Sequence, residues 1–439
     1  TSEGDTLYRT NRFTHRGPVI SGFKNLPEKI ISMRWTGNEY SNELNSVYLL
    51  NRAQNWDDFK NALHTFNALG QNIVYADRQG NIGLWSATNI PIRKGDPWLI
   101  LRGDTSEFDW QGFVPFDSLP HEYNPERGYV SSANCRTAPP DYPHYISMWF
   151  DLPYRLDRIR EMLEEKDKLS IEDFKNMLGD HKSKMVEDMF AGIIDGVKDL
   201  KGLSEREKQA LEMFKNWDGV LSAESQAASI FEYFFICLTH NIVYDEMGDE
   251  LYKEFISNKI LVRNLVKNLW INTESEWYDN VTTADKNESF KEIVEMSFKD
   301  ALDSLKNKLG AKPQFWQWGN IHTITLKHPL GKVAVLDFGF NLNRGPFPVG
   351  GSYHTVSPFA YSFNNLFDVI HGASHKHIFS TADWDESLTV IPTGISGIPS
   401  SPYYCDQTEM YLKNEFHPDY FDIGKIEKNT SFRLTLMPE

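Results

Sequence analysis

The chain changes its hydrophobic rhythm twice. From Leu7 to about Ser147, short β-favouring runs alternate with turn residues. Gly17-Pro18-Val19-Ile20, Ile30-Ile31-Ser32-Met33-Arg34-Trp35 and Asn72-Ile73-Val74-Tyr75-Ala76 have the β-branched and aromatic content of strands. One helix is predicted among them, from Asn55 as N-cap through Trp56-Asp57-Asp58-Phe59 to Leu69, with Gly70 as its stop. Arg78-Gln79-Gly80-Asn81 has hairpin-turn chemistry, and Ile82-Gly83-Leu84-Trp85 reads as the returning strand.

From Tyr154 to about Leu309 the spacing becomes helical. Leu156, Ile159, Met162 and Leu163 share one face, and Ser170 with Asp173 opens a further helix in a cap-like arrangement. Acidic and basic residues interleave throughout, as on the solvated faces of packed helices. This zone reads as a helical insertion without chemistry of its own. From Phe315 onward β texture returns, rich in Gly, Pro, Ser and His, and Ser431-Phe432-Arg433-Leu434-Thr435-Leu436 alternates as a final strand would. Strands, helices and strands again predict an α+β fold in three parts: a β-rich 1–150, a helical 151–312 and a β-rich 313–439 that returns to the core. No repeat of fixed period is visible.

Charge narrows the function classes. With 45 Lys plus Arg against 61 Asp plus Glu, the net charge is −16, which repels phosphate backbones and anionic lipid. Aromatics at 13% suggest broad buried apolar surfaces or an apolar pocket. The three cysteines, Cys135, Cys237 and Cys405, allow at most one disulfide and form no CxxC pattern. The best apolar run, Phe231 to Leu238, is too short to span a bilayer, and no signal peptide is recognisable. The start at Thr1-Ser2-Glu3-Gly4 looks like a processed or trimmed end.

Candidate chemistry is sparse. His322 and His328 flank a predicted strand, and His371, His375 and His377 follow; His375 and His377 could hold zinc from one strand face, but no third ligand stands at a telling distance. Gly394-Ile395-Ser396-Gly397 lacks the spacing of a nucleophile elbow, and Ser400-Ser401-Pro402 reads as loop. Cys135 lies beside Arg136, whose charge could favour a thiolate, although a plain buried thiol fits better. Asn280, Asn287 and Asn429 head glycosylation sequons. Nothing reads as a phosphate loop or dinucleotide fingerprint.

Ordered segments carry more than any single motif. They run Thr14-His15-Arg16-Gly17-Pro18-Val19-Ile20, Met33-Arg34-Trp35-Thr36, Ala53-Gln54-Asn55-Trp56-Asp57-Asp58-Phe59 and Gln71-Asn72-Ile73-Val74-Tyr75-Ala76-Asp77. Gly80-Asn81-Ile82-Gly83, Ile90-Pro91-Ile92-Arg93, Gly128-Tyr129-Val130 with Ala133-Asn134, and Tyr154-Arg155-Leu156-Asp157-Arg158-Ile159 follow. His328-Pro329-Leu330, His371-Gly372-Ala373-Ser374, Pro392-Thr393-Gly394 and Ser400-Ser401-Pro402 with Asp406-Gln407 complete the set. Together they resemble the β-chain of the penicillin acylase (penicillin amidase) family over nearly the whole chain.

The resemblance implies an N-terminal nucleophile hydrolase with a four-layer αββα sandwich, here its larger C-terminal part with a helical insertion. In that family an α-chain and a β-chain arise by self-cleavage of one precursor. The first β-chain residue attacks an amide carbonyl, and its own α-amine, with a pKa near 8, serves as base. Asn134 matches the oxyanion-hole asparagine, and Arg155 an arginine that orients it. Val47 and Gln71 match acyl-pocket positions; a small Val and a polar Gln there argue against assuming a phenylacetyl preference.

The nucleophile, a second oxyanion donor and the α-chain are not matched, so the resemblance implies partners in the α-chain and the N-terminal β-chain segment. Thr1 aligns well inside the family's β-chain, which speaks against it as a terminal nucleophile. No organic cofactor is implied. Pro97 matches a backbone calcium ligand of some members, but the aspartate expected near Ile146 is absent. The expected reaction is hydrolysis of an amide between an apolar acyl group and a small amine, as in a β-lactam, an acyl-homoserine lactone or an N-acyl amino acid. The alternative is a binding or scaffold protein that keeps the fold without the reaction. Family habit favours the periplasm or the exterior, and no compartment follows from the residues themselves.

Overall fold

The computed structural model describes residues 10–23 and 29–438 together with Gly4, Thr6 and Tyr8. Thr1, weighed as a terminal nucleophile, lies outside the described residues. The chain divides into two compact units, Thr1–Phe150 and Asp151–Glu439.

In the first unit the pairs β1 (Phe13–Thr14) and β2 (Gly17–Pro18) form a two-residue ladder. The runs expected as strands around Val19 and Ser32 do meet, through one bridge and the bonds from Ile20 N–H to the Ile31 carbonyl and from Met33 N–H to the Pro18 carbonyl. They extend no further. Helices α1 (Glu43–Leu50) and α2 (Trp56–Ala62) follow. Asn55 caps α2 as expected, its side chain accepting from Asp58 N–H at 2.9 Å. The helix stops well before Leu69, giving way to a 3₁₀ turn at Leu63–Thr65. The physical reason is competition for the backbone: the Glu43 carboxylate accepts from the amides of Asn67 (3.2 Å) and Ala68 (2.8 Å), donors a longer helix would need.

The sheet of this unit has the order β3-β4-β5, from β3 (Gln71–Ala76), β4 (Ile82–Ala87) and β5 (His121–Tyr123), all antiparallel. Its hairpin is closed by Asp77, whose carboxylate accepts from Gln79 N–H and Asn81 N–H, both at 2.9 Å, while Gly80 takes φ +85°. Trp85 of the central strand stacks on His121 at 4.2 Å and on Phe116 at 4.8 Å. Gly83 admits no side chain, because a Cβ there would meet the Trp56 ring at 2.3 Å.

The second unit begins with α3 (Tyr154–Glu164), α4 (Ile171–Leu178), α5 (Lys184–Val197) and α6 (Glu205–Lys215). The Ser170/Asp173 capping box is present in full. The helix α7 (Gln226–Ser257), interrupted at Gly248, carries the core with α8 (Lys259–Ile271) and α9 (Phe290–Leu309). By length and composition α7 could cross a membrane, but its apolar window is 67% buried; Phe231, Phe234 and Leu238 pack fully inside with Phe298 and Leu302. It is the core helix of this unit.

Strand β6 (Thr323–Leu326) then leads through α10 (Ala334–Phe340) to β7 (Arg344–Pro348), β8 (Ala360–Ser362) and β9 (Asn365–His371), in the sheet order β7-β6-β9-β8 with β6 and β9 parallel. A three-stranded sheet of β10 (Lys376–Ile378), β11 (Leu388–Val390) and β12 (His417–Pro418) completes the fold. The predicted final strand over Ser431–Leu436 is not formed: it lies unpaired, with Phe432, Leu434 and Leu436 at least 83% exposed. Alternation suits a residue run to a sheet, but the strand exists only where an edge receives it.

A buried polar knot ties the helices to the strands. Glu232 of α7, fully buried, accepts from Tyr361 OH at 2.6 Å and pairs with His354 Nε2 at 2.9 Å. His354 Nδ1 in turn meets the hydroxyl of Ser183, the N-cap of α5, at 2.6 Å. Burial pushes the Glu232 carboxyl up, and the bonds from His354 and Tyr361 outweigh it, holding it below the ordinary carboxylate range.

Candidate functional site

Asn134 lies in the loop after β5, exposed, with backbone φ +64°. Asn is among the few residue types that enter the left-handed region readily. The loop is pinned on both sides of it. Asn72 Nδ2 donates to Ser132 Oγ at 2.7 Å, Ser86 Oγ donates to Asn72 Oδ1 at 2.8 Å, and Ser86 Oγ meets Thr137 Oγ at 3.1 Å. Asn72 and Ser86 are a cross-strand pair of β3 and β4. The rigid hairpin therefore holds the turn that presents Asn134, with Ala133 buried beneath it.

Val47 and Gln71 belong to the same unit. Gln71 opens β3 opposite Ala87, on the face where Trp85 and Ala87 pack toward α2; α1 joins that cluster through Leu50. Alternation thus puts Gln71 on the helical side of the sheet and the Asn134 loop, through Asn72 and Ser86, on the other. Both residues are exposed, Val47 by 48%.

Arg155 stands in the first turn of α3, in the second unit, and donates to Asp151 Oδ2 at 3.0 Å. Asp151 also accepts from buried Arg263 at 2.7 Å, and the Arg263 guanidinium lies 4.7 Å from the centre of the Tyr353 ring. Burial first, then the charges of Arg263 and Arg155, push the Lys259 ammonium below its ordinary value. Two guanidinium groups of this cluster share one carboxylate, that of Asp151. It borders a cavity of about 10 Å³, room for about one water, lined also by Met185 and His354.

The calcium expectation finds no support in donor chemistry. Pro97 and Ile146 line a hollow with Arg16, Arg34, Arg93 and Arg102, whose one carboxylate, Asp109, is paired to Arg16 at 2.6 Å. A guanidinium-lined wall does not fit a divalent cation. Among the described residues no three His, Cys, Asp or Glu side chains group as metal ligands. The His375 and His377 rings lie 4.8 Å apart, tilted, on the surface, and His375 bonds Thr389 Oγ at 2.6 Å. Ser396 Oγ accepts from Ile398 N–H at 3.1 Å in a loop. None of the three cysteines is in a disulfide, and the Arg136 guanidinium donates to the Pro139 carbonyl at 3.1 Å.

Sequence reasoning missed Asp151, Arg263 and Tyr353. The Asp151–Arg155 pair had a readable signal in its i, i+4 spacing. Arg263, 108 positions beyond Arg155 in the chain, had none; it looks like any charged residue on an amphipathic helix.

The architecture matches that of a thermostable penicillin G acylase from Alcaligenes faecalis, with a TM-score of 0.66 over 98% of this chain and 79% of that one, at 19% identity. The fold is thus that of an N-terminal nucleophile hydrolase. The sequence profile described as penicillin amidase matches residues 2–428, and the chain belongs to the penicillin amidase family. Among its relatives, the acyl-homoserine lactone acylase QuiP of Pseudomonas aeruginosa is 26% identical over 96% of this chain and 52% of its own length. The penicillin acylase 2 proenzyme of Pseudomonas sp. (strain SE83) is 24% identical over 97% of this chain and 54% of its own. The chain spans about half the length of the curated relatives it matches.

Proposed function

We propose that this chain is part of an amidohydrolase that cleaves the amide between an apolar acyl group and a small amine: a β-lactam, an acyl-homoserine lactone or an N-acyl amino acid. The observation that carries the reading is Asn134: an asparagine at the family's oxyanion position, in left-handed backbone, on a loop anchored to a rigid hairpin. Its Nδ2–H would donate to the oxygen of the tetrahedral intermediate, where removing one such donor costs about 2.7–4 kcal/mol of transition-state stabilisation. Val47 and Gln71 border the acyl group, and Arg155, at the position of the family's arginine, shares Asp151 with Arg263 in the second unit. The nucleophile and its α-amine come from a β-chain segment that precedes this one in the precursor, and an α-chain completes the enzyme. Exposed apolar residues of α1, Leu44 at 84% and Val47, fit a surface that such segments cover.

The test is to express the complete gene and assay the processed protein against a panel of N-acyl compounds. Turnover of at least one amide class is expected, and Asn134→Ala should lower kcat by about 10²–10³ with the fold intact by circular dichroism. Inactivity of the processed protein on the whole panel, or an unchanged kcat in the variant, overturns the reading.

A further inference from the structure

The first unit contains a cavity of about 510 Å³, within the size range of small-molecule sites. Its lining combines arginines with aromatic rings. Three of the four arginines there already have carboxylate partners: Arg16 with Asp109 at 2.6 Å, Arg102 with Asp104 at 2.8 Å and Arg34 with Glu39 at 3.5 Å. Arg16 is further held by the carbonyls of Gly103 and Thr105.

Arg93 differs. Among the described residues it has no carboxylate partner, and its Nη1 is buried without a hydrogen bond. Its guanidinium lies 5.8 Å from the centres of both the Trp110 and the Tyr145 rings. Ring faces attract the cation, but they do not take its in-plane N–H donors. Burial pushes the Arg93 guanidinium below its ordinary value, the mark of a charge short of counter-charge. A second wall is also aromatic: Trp98 lies 5.9 Å from Tyr145, and the Arg34 guanidinium covers Trp110 at 4.4 Å.

We infer that this cavity binds an organic carboxylate with an aromatic or apolar body, its carboxylate on the Arg93 guanidinium and its body between Trp110, Tyr145 and Trp98. Arg93 then gains the charge-assisted hydrogen bond it lacks, and the planar rings of the walls cover the body. The mixed lining selects against both neutral amides, which leave the cation uncompensated, and small inorganic anions, which leave the rings wet. The inference uses neither Asn134 nor Arg155 and stands whether or not the chain takes part in amide hydrolysis.

The experiment is calorimetric titration of the chain with 3-phenylpropionate, with its neutral amide and with inorganic phosphate, tryptophan fluorescence being followed in parallel. The acid should bind saturably, and the amide about tenfold or more weakly, as expected for one charge-assisted hydrogen bond. Arg93→Gln should lose the acid by a similar factor, whereas Arg127→Gln, at an arginine paired with Glu122 outside the cavity lining, should keep it. If Arg93→Gln does not fold, Trp110→Leu and the acid–amide difference in the unaltered chain decide. Absence of saturable acid binding, equal binding of acid and amide, phosphate binding as tight as the acid, or a folded Arg93→Gln that still binds the acid normally each overturns the inference.

Discussion

The two units bury their apolar residues very differently. In residues 151–439 a large cluster runs from Tyr154 through α5, α7 and α9 to Phe367, much of it fully inaccessible, and a smaller one gathers Ile324, Val369, Val390 and Tyr411. In residues 1–150 the core is two small patches, one around Phe59, Leu63, Trp85 and Ala87 and the other around Ile90, Val114 and Leu119. Both units leave some large apolar side chains open, Tyr40 at 90% in the first and Phe338 at 94% in the second, so the difference lies in the buried clusters. Asn134, Val47, Gln71 and the arginine-lined cavity all belong to the thinly packed unit, whereas the strongest polar lock belongs to the other. Most of the candidate chemistry thus falls in the unit with the thinner core, while Arg155 stands on α3 in the other. Residues that present donors to a ligand cannot also spend those donors on the core.

The largest effect that would break this contrast is at Glu232. Glu232→Ala removes the acceptor of His354 and Tyr361 inside a sealed core and should cost about 3–5 kcal/mol, read as a fall in the denaturant midpoint of the second unit. A cost below about 1 kcal/mol would mean that the knot is not what joins α7 to β8.

Acid should act next, and on the same unit. Burial lowers His181 and His322 from 6.5 to about 4. The unfolded chain therefore binds protons on these rings that the folded one refuses. Their contribution is complete above pH 6.5 and is lost as pH falls toward 4, by up to about 3 kcal/mol each, from about 1.36 kcal/mol per pKa unit. Glu232, held low, adds a further loss in the same direction below its ordinary 4.5. Denaturation at stepped pH, with His322→Gln as comparison, checks the sign: the variant should lose less stability between pH 6.5 and 4 than the unaltered chain.

How far the residues announced all this follows the range of the forces involved. Local chemistry was legible: the Asn55 cap, the Ser170/Asp173 box and the Asp77 turn each need only a few neighbouring residues. The α+β order was legible too, because periodicity changes over long stretches. What failed needed a distant partner. The helix expected to reach Leu69 yields to the Glu43 carboxylate, which takes the amide of Asn67, 24 positions downstream. The tail at Phe432–Leu436 alternates correctly without a sheet edge to join. At the candidate site, Asn134 was found by resemblance, and its left-handed backbone and anchoring by Asn72 and Ser86 emerged only from the fold.

Caps offer a finer probe, since they act locally and should ignore the difference in packing. Ser170→Ala in the second unit and Asn55→Ala in the first should each cost about 1 kcal/mol. A much larger loss at Asn55, measured by the same denaturant titration, would show that the first unit depends on α2 more than its small core implies.

The smallest expected stability change is at Asn134, and it is the most informative about function. Replacement by Ala confounds two effects, because a Cβ at φ +64° without the asparagine side chain's local bonding strains the turn by about 1 kcal/mol. Glycine relieves that strain, so Asn134→Gly should leave the denaturant midpoint unchanged to within about 0.5 kcal/mol while deleting the carboxamide. In the processed enzyme the glycine variant should then lose as much kcat as the alanine variant. If glycine instead restores turnover toward that of the unaltered protein, the residue serves the backbone of the loop alone, and the candidate chemistry of the thin unit must be sought at its arginine-lined cavity.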